Sequence, residues 1–133
     1  MYHKDSSGIV YKCRYHVAWC PKYKRKVLTG DVKARLKELV EKTCTDHEIG
    51  LFTIEIKPDY IYLHLETSPQ YGIHKAVKTL KAATSRALRG EFRHLTTKLP
   101  TLWTNSYFVS TDENPPWDRI RQYISEQKTS QRK

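Results

Sequence analysis

Leu51-Phe52-Thr53-Ile54-Glu55-Ile56-Lys57-Pro58-Asp59-Tyr60-Ile61-Tyr62-Leu63-His64-Leu65-Glu66 reads as two strands around a turn. Leu51 to Ile56 is rich in apolar and β-branched residues, Pro58-Asp59 breaks it, and Tyr60 to Glu66 resumes it. Along the second strand Tyr60, Tyr62, His64 and Glu66 share one face, and Ile61, Leu63 and Leu65 share the other. The apolar set belongs under a core. The polar set lies on the opposite face, where a ligand could sit.

On the N-terminal side, Tyr11, Cys13, Tyr15, Val17 and Trp19 alternate with Lys12, Arg14 and His16, the period of a half-buried strand, which Pro21 ends. Gly30-Asp31 opens a helix that places Val32, Leu36, Leu39, Val40 and Thr43 on one side and the pairs Lys37/Glu41 and Glu38/Lys42 toward solvent. Beyond the hairpin, Ile73 to about Arg89 is a second helix with the stripe Ile73, Val77, Leu80, Thr84 and Leu88. Leu102 to Thr111 reads as a fourth strand. Asn114-Pro115-Pro116 starts a last helix, proline being tolerated in a first turn, with Trp117, Ile120 and Ile124 as its buried stripe. The order β-α-β-β-α-β-α predicts an α+β, ferredoxin-like (split βαβ) antiparallel sheet with helices on one face, plus a C-terminal helix. One domain spans residues 1–133, with 1–8 and 128–133 expected to be flexible.

Lys and Arg number 24 against 14 Asp and Glu, a net charge of +10 with a pI near 9.6. That excess favours nucleic acid or an anionic membrane surface as partner. No apolar run reaches the ~18 residues of a membrane span, and Met1 to Asp5 lacks a secretory stretch, so a cytoplasmic protein is expected. Cys13, Cys20 and Cys44 form no CxxC pair and read as small buried or semi-buried thiols. Candidate phosphate contacts are Arg14 on the first strand, Lys22, Lys24, Arg25 and Lys26 after it, and Lys75, Lys78, Lys81, Arg86 and Arg89 on the second helix. Tyr23, Tyr71, Trp103 and Tyr107 interleave with them. Charge tracks phosphates, while aromatic faces stack on unpaired bases at ~1–3 kcal/mol each.

Tyr123 and Gln127 are four apart and share one helix face. A phenol so presented can attack a phosphodiester if something polarises the phosphate.

Several segments resemble one family, the single-tyrosine HUH transposases of the smallest bacterial and archaeal insertion sequences. Pro21-Lys22-Tyr23-Lys24-Arg25-Lys26-Val27-Leu28 resembles its basic segment, and Lys57-Pro58-Asp59-Tyr60-Ile61-Tyr62-Leu63 stands where its histidine pair falls. Leu80-Lys81-Ala82-Ala83-Thr84-Ser85-Arg86 is similar to its second helix. Leu102-Trp103-Thr104-Asn105-Ser106-Tyr107-Phe108-Val109 is similar to its fourth strand, and Tyr123-Ile124-Ser125-Glu126-Gln127 to its nucleophile helix. The resemblance implies a dimeric, nucleoid-associated enzyme of prokaryotes that binds hairpins in single-stranded DNA. It cleaves and rejoins strands through a 5′-phosphotyrosine intermediate. Tyr123 carries over as nucleophile and Gln127 as third ligand of a Mg2+ or Mn2+ ion.

Two departures bear on activity. The histidine positions hold Tyr60 and Tyr62, and a phenol with reference pKa of about 10 stays protonated and binds a hard dication weakly. A substitute site from His64, Glu66 and Gln127 would be displaced by roughly 6.6 Å along the strand. The segment Thr111-Asp112-Glu113-Asn114-Pro115-Pro116 lacks the family's hinge glycines, which should stiffen the approach to the last helix. Impaired cleavage is therefore expected. The alternative is a non-catalytic single-stranded nucleic-acid binder derived from such a transposase, with Tyr60 and Tyr62 stacking bases on an open sheet face.

Overall fold

The computed structural model describes residues 1–97 and 99–129. Its main sheet has four antiparallel strands in the order β4-β5-β3-β6: β3 (Arg14–Trp19), β4 (Gly50–Lys57), β5 (Tyr60–Glu66) and β6 (Phe108–Ser110). The hairpin β4–β5 forms around Pro58-Asp59 as its sequence requires, and β3 inserts between β5 and β6. This is the split βαβ arrangement expected from the alternation of elements. Helices α1 (Gly30–Asp46) and α2 (Ile73–Glu91) cover one face. There Val17, Trp19, Ile61, Leu63 and Leu65 from the strands meet Leu36, Val40, Val77 and Leu80 from the helices, all at most 4 % exposed. Full burial of one such side chain stabilises by ~1.5–3 kcal/mol. The hydroxyl of Thr84, buried on the α2 stripe, donates to the Leu80 carbonyl and accepts from the Trp103 indole at 3.0 Å.

The sheet's other face carries a second, smaller core: Ala18, Cys20 and Tyr62 packed against Ile120 and Ile124. Those isoleucines come from α4 (Trp117–Ser125), which therefore lies across the polar side of the sheet. The stripe Trp117, Ile120, Ile124 is the side of the helix that docks, onto the face that α1 and α2 leave free.

Several boundaries differ from expectation. Residues 1–8 hold half of a small hairpin, β1 (His3–Lys4) paired with β2 (Val10–Tyr11), so the anticipated first strand is split by Lys12-Cys13. The fourth strand shrinks to Phe108–Ser110. Its first part is drawn into a turn, with the Lys81 ammonium donating to the carbonyls of Thr104 and Ser106 and only an isolated bridge from Pro21 to Trp103. A short helix α3 (His94–Thr97) was not anticipated. Arg89 Nη1 donates to the Leu95 and Leu99 carbonyls beside it. Residues 130–133 of the tail expected to be flexible lie outside the described residues. Among the described residues no helix is long and apolar enough to cross a membrane.

Candidate active site

Register places Arg14 opposite Glu66, His16 opposite His64 and Ala18 opposite Tyr62, so these six side chains share the polar face. At its centre the Tyr62 hydroxyl lies 2.7 Å from His16 Nδ1, and His16 Nε2 lies 2.8 Å from the Asp112 carbonyl oxygen. A carbonyl only accepts, so Nε2 carries the proton, Nδ1 accepts, and Tyr62 donates. Tyr62 is 1 % exposed, with Trp117 packed 4.7 Å from its ring. Burial pushes its phenol up to about 12, with a smaller push from Glu55. Burial, then Glu55 and Asp59, raises Tyr60 as well.

The family's metal ion does not fit this pair. The oxygen of Tyr62 is protonated and committed to His16, and Tyr60 is a neutral phenol. Among the described residues no three His, Cys, Asp or Glu side chains come together to hold a metal ion. Nor do His64, Glu66 and Gln127 assemble as substitutes. His64 is stacked on His16 at 4.3 Å. The buried Glu66 carboxylate faces His3 Nε2 at 2.7 Å and Arg14 Nε at 3.5 Å.

Gln127 points elsewhere. It lies just past the end of α4, not on it: its backbone amide donates to the Ile124 carbonyl and its side-chain Nε2 donates to the Tyr123 carbonyl at 2.9 Å. Its Oε1 accepts from Ser106 Oγ at 3.2 Å. Ser106 Oγ in turn lies 2.7 Å from the Tyr123 hydroxyl. With the serine proton directed at the amide oxygen, the Tyr123 hydroxyl is the donor to Ser106. Burial holds this phenol up at about 12, against a smaller lowering by Ser106. Tyr60 and Tyr123 flank one cluster, Ala18, Cys20, Tyr62, Ile120 and Ile124. The fold thus brings the candidate nucleophile and the two altered positions onto one side of the sheet, but gives Tyr62 and Tyr123 different hydrogen-bond partners.

The basic candidates divide. Arg25, Lys26, Lys75, Lys78 and Arg86 are exposed, and Lys22 and Lys24 partly so. Lys22 sits over the Tyr23 ring at 5.4 Å. Lys81 is a correction: its ammonium is turned inward onto Thr104 and Ser106, and desolvation lowers it to about 8. Arg14 leans on the Phe52 ring at 4.5 Å. The open sheet face on which Tyr60 and Tyr62 would stack bases is also corrected, because α4 covers Tyr62. Sequence reasoning missed Ser106 and His16. The alternation Lys12-Arg14-His16 already put His16 on the polar face, whereas nothing local marks Ser106.

The family described as transposase, IS200-like, matches residues 9–127. The ISDra2 transposase TnpA of Deinococcus radiodurans is 34 % identical over 126 residues, 93 % of this chain and 90 % of that one. The transposase for insertion sequence element IS200 of Salmonella typhimurium is 27 % identical, covering 88 % of this chain and 78 % of the relative. A crystal structure of a candidate transposase from Deinococcus radiodurans R1 superposes with a TM-score of 0.86 at 36 % identity, over 96 % of this chain and all of that one. A REP-associated tyrosine transposase bound to a REP hairpin shares the fold alone, at 11 % identity and a TM-score of 0.59, over 93 % of this chain and 65 % of that one. With a basic surface, a ferredoxin-like sheet and a tyrosine helix laid across its polar face, the chain belongs to the IS200-like transposase family.

Proposed function

We propose that this protein binds hairpins in single-stranded DNA as a transposase-fold homodimer, and that its strand-cleaving chemistry is strongly weakened. In the cleavage reaction the Tyr123 oxygen would bond to the scissile phosphorus, the bond from phosphorus to the leaving 3′-oxygen would break, and the phenol proton would pass by way of solvent to that oxygen. A 5′-phosphotyrosine and a free 3′-hydroxyl result. A metal held by histidines would polarise the phosphate. Here the two ligand positions are phenols, and the observation that carries the reading is the buried Tyr62 hydroxyl donating to His16 at 2.7 Å. A Tyr123 phenol raised to about 12 adds to the barrier, since the protonated form is a poor nucleophile.

DNA binding rests on the +10 charge, on the exposed Arg25, Lys26, Lys75, Lys78 and Arg86, and on family membership. A second protein of this fold is bound to a REP hairpin. The non-catalytic reading is favoured over residual activity by the same Tyr62 geometry.

The test is an adduct assay. Hairpin oligonucleotides with Mn2+ should bind the wild-type protein and leave no adduct that survives a denaturing gel. Tyr60→His/Tyr62→His should restore some adduct, dependent on Tyr123. A wild-type adduct abolished by Tyr123→Phe would overturn the impairment, and absence of hairpin binding would overturn the DNA reading.

A further inference from the structure

On the polar face of the sheet helix α4 hides Ala18, Cys20 and Tyr62, and at the far end Glu66 is buried against His3. Between them Arg14 and His64 stay partly exposed and Phe52 is exposed. Pairing between β4 and β5 jumps from Leu51↔Leu65 to Thr53↔His64, which makes Phe52 the extra residue of a β-bulge. A bulge re-aims a side chain out of the ladder, and here it leaves a phenylalanine 47 % exposed on an edge strand. Its ring lies 5.3 Å from the His64 ring and carries the Arg14 guanidinium 4.5 Å above its centroid. His64 is backed by His16, nearly parallel at 13° and 4.3 Å away. A groove of about 580 Å3 runs alongside, with Lys12, Arg14, His64, Asp112 and Glu113 on its walls.

Resting on the single-stranded DNA reading above, we propose that Phe52, His64 and Arg14 form a stacking platform for one unpaired base, with Lys12 meeting the adjoining phosphate. Flat groups of this kind accept a base on its π-face, and a guanidinium plane serves as well as a ring. The groove carries both signs of charge. Asp112 and Glu113 repel a phosphate on their wall and accept from the amino groups of a neutral base, while Lys12 draws the backbone to the other side. This part of the face is distinct from Tyr60 and Tyr62, which α4 has taken.

A hairpin oligonucleotide with single-stranded flanks, carrying 2-aminopurine at each unpaired position in turn, tests this. Wild-type protein should quench the fluorophore at one position. Phe52→Ala should abolish that quenching and weaken binding about 5- to 150-fold, the equivalent of one stacked base. Phe52→Tyr should restore both, and Phe52→Leu, apolar but not aromatic, should restore neither. Hairpin binding and quenching that survive Phe52→Ala unchanged would sink the platform alone. A wild-type protein that ignores the hairpin at low salt would sink the platform and the DNA reading together.

Discussion

Tyr62 donates its hydroxyl proton to His16 Nδ1 across 2.7 Å, and His16 passes the connection to the Asp112 carbonyl. The Tyr62 side chain thus acts as a latch. It ties the centre of the sheet to the segment leading into α4, and Trp117 packs over it. Tyr62→Phe keeps the ring and its packing but leaves His16 Nδ1 buried without a donor. The cost should be about 1–3 kcal/mol, seen as a lower urea midpoint at unchanged slope.

Alkaline pH should unfold the protein early. Tyr62 and Tyr123 are both raised to about 12, above the value of about 10 for an unfolded phenol. A raised pKa means that the stabilisation is complete below pH 10. It is lost as pH climbs from about 10 to about 12, because the unfolded chain releases these protons first. Denaturation midpoints measured from pH 8 to 12 should fall in that window, and Tyr62→Phe/Tyr123→Phe should flatten the fall. A parallel decline in the double variant would contradict this account.

The three thiols should separate by reactivity. Burial pushes Cys20 up to about 12 and Cys44 up to about 11, and both are buried, whereas Cys13 is partly exposed. Because the thiolate is the reacting species, a chromogenic disulfide reagent at pH 8 should titrate one cysteine in the native protein and three in denaturant. Cys13→Ala should remove the fast phase.

Lys81 and Lys78 lie on one helix and should differ toward DNA. Exposed Lys78 is free to neutralise a phosphate, while Lys81 is committed to Thr104 and Ser106. Lys78→Met should lower the salt slope of single-stranded DNA binding by about 0.7. Lys81→Met should leave the slope intact and lower thermal stability instead. Equal slopes for the two variants and wild type would remove Lys78 from the interface.

The approach to α4 is held by more than its prolines. Asp112 accepts from Ser110 Oγ at 2.6 Å and its carbonyl from His16, while Pro115 and Pro116 restrict the next step of the chain. Replacing Pro115 and Pro116 by glycine should speed amide exchange over residues 117–125 without changing exchange in α1 and α2. Exchange that rises equally everywhere would point to global destabilisation and not to release of one helix.

The architecture could be read from the chain because its signals are local. Alternation over Leu51 to Glu66, the stripe Val77-Leu80-Thr84-Leu88 and the turn at Pro58-Asp59 each act within a few residues, and together they leave one sensible topology. The stripe Trp117, Ile120, Ile124 likewise marked the buried side of the last helix, while the face of the sheet it covers was settled by packing. What those side chains do there was decided at a distance. Tyr62 found His16, 46 positions away; Gln127 found Ser106, 21 away; Lys81 turned onto a carbonyl 23 away. Hydrogen-bond partners are chosen by where strands and helices finally pack, so a pattern of apolar spacing specifies which face a polar group occupies but not the atom it will meet.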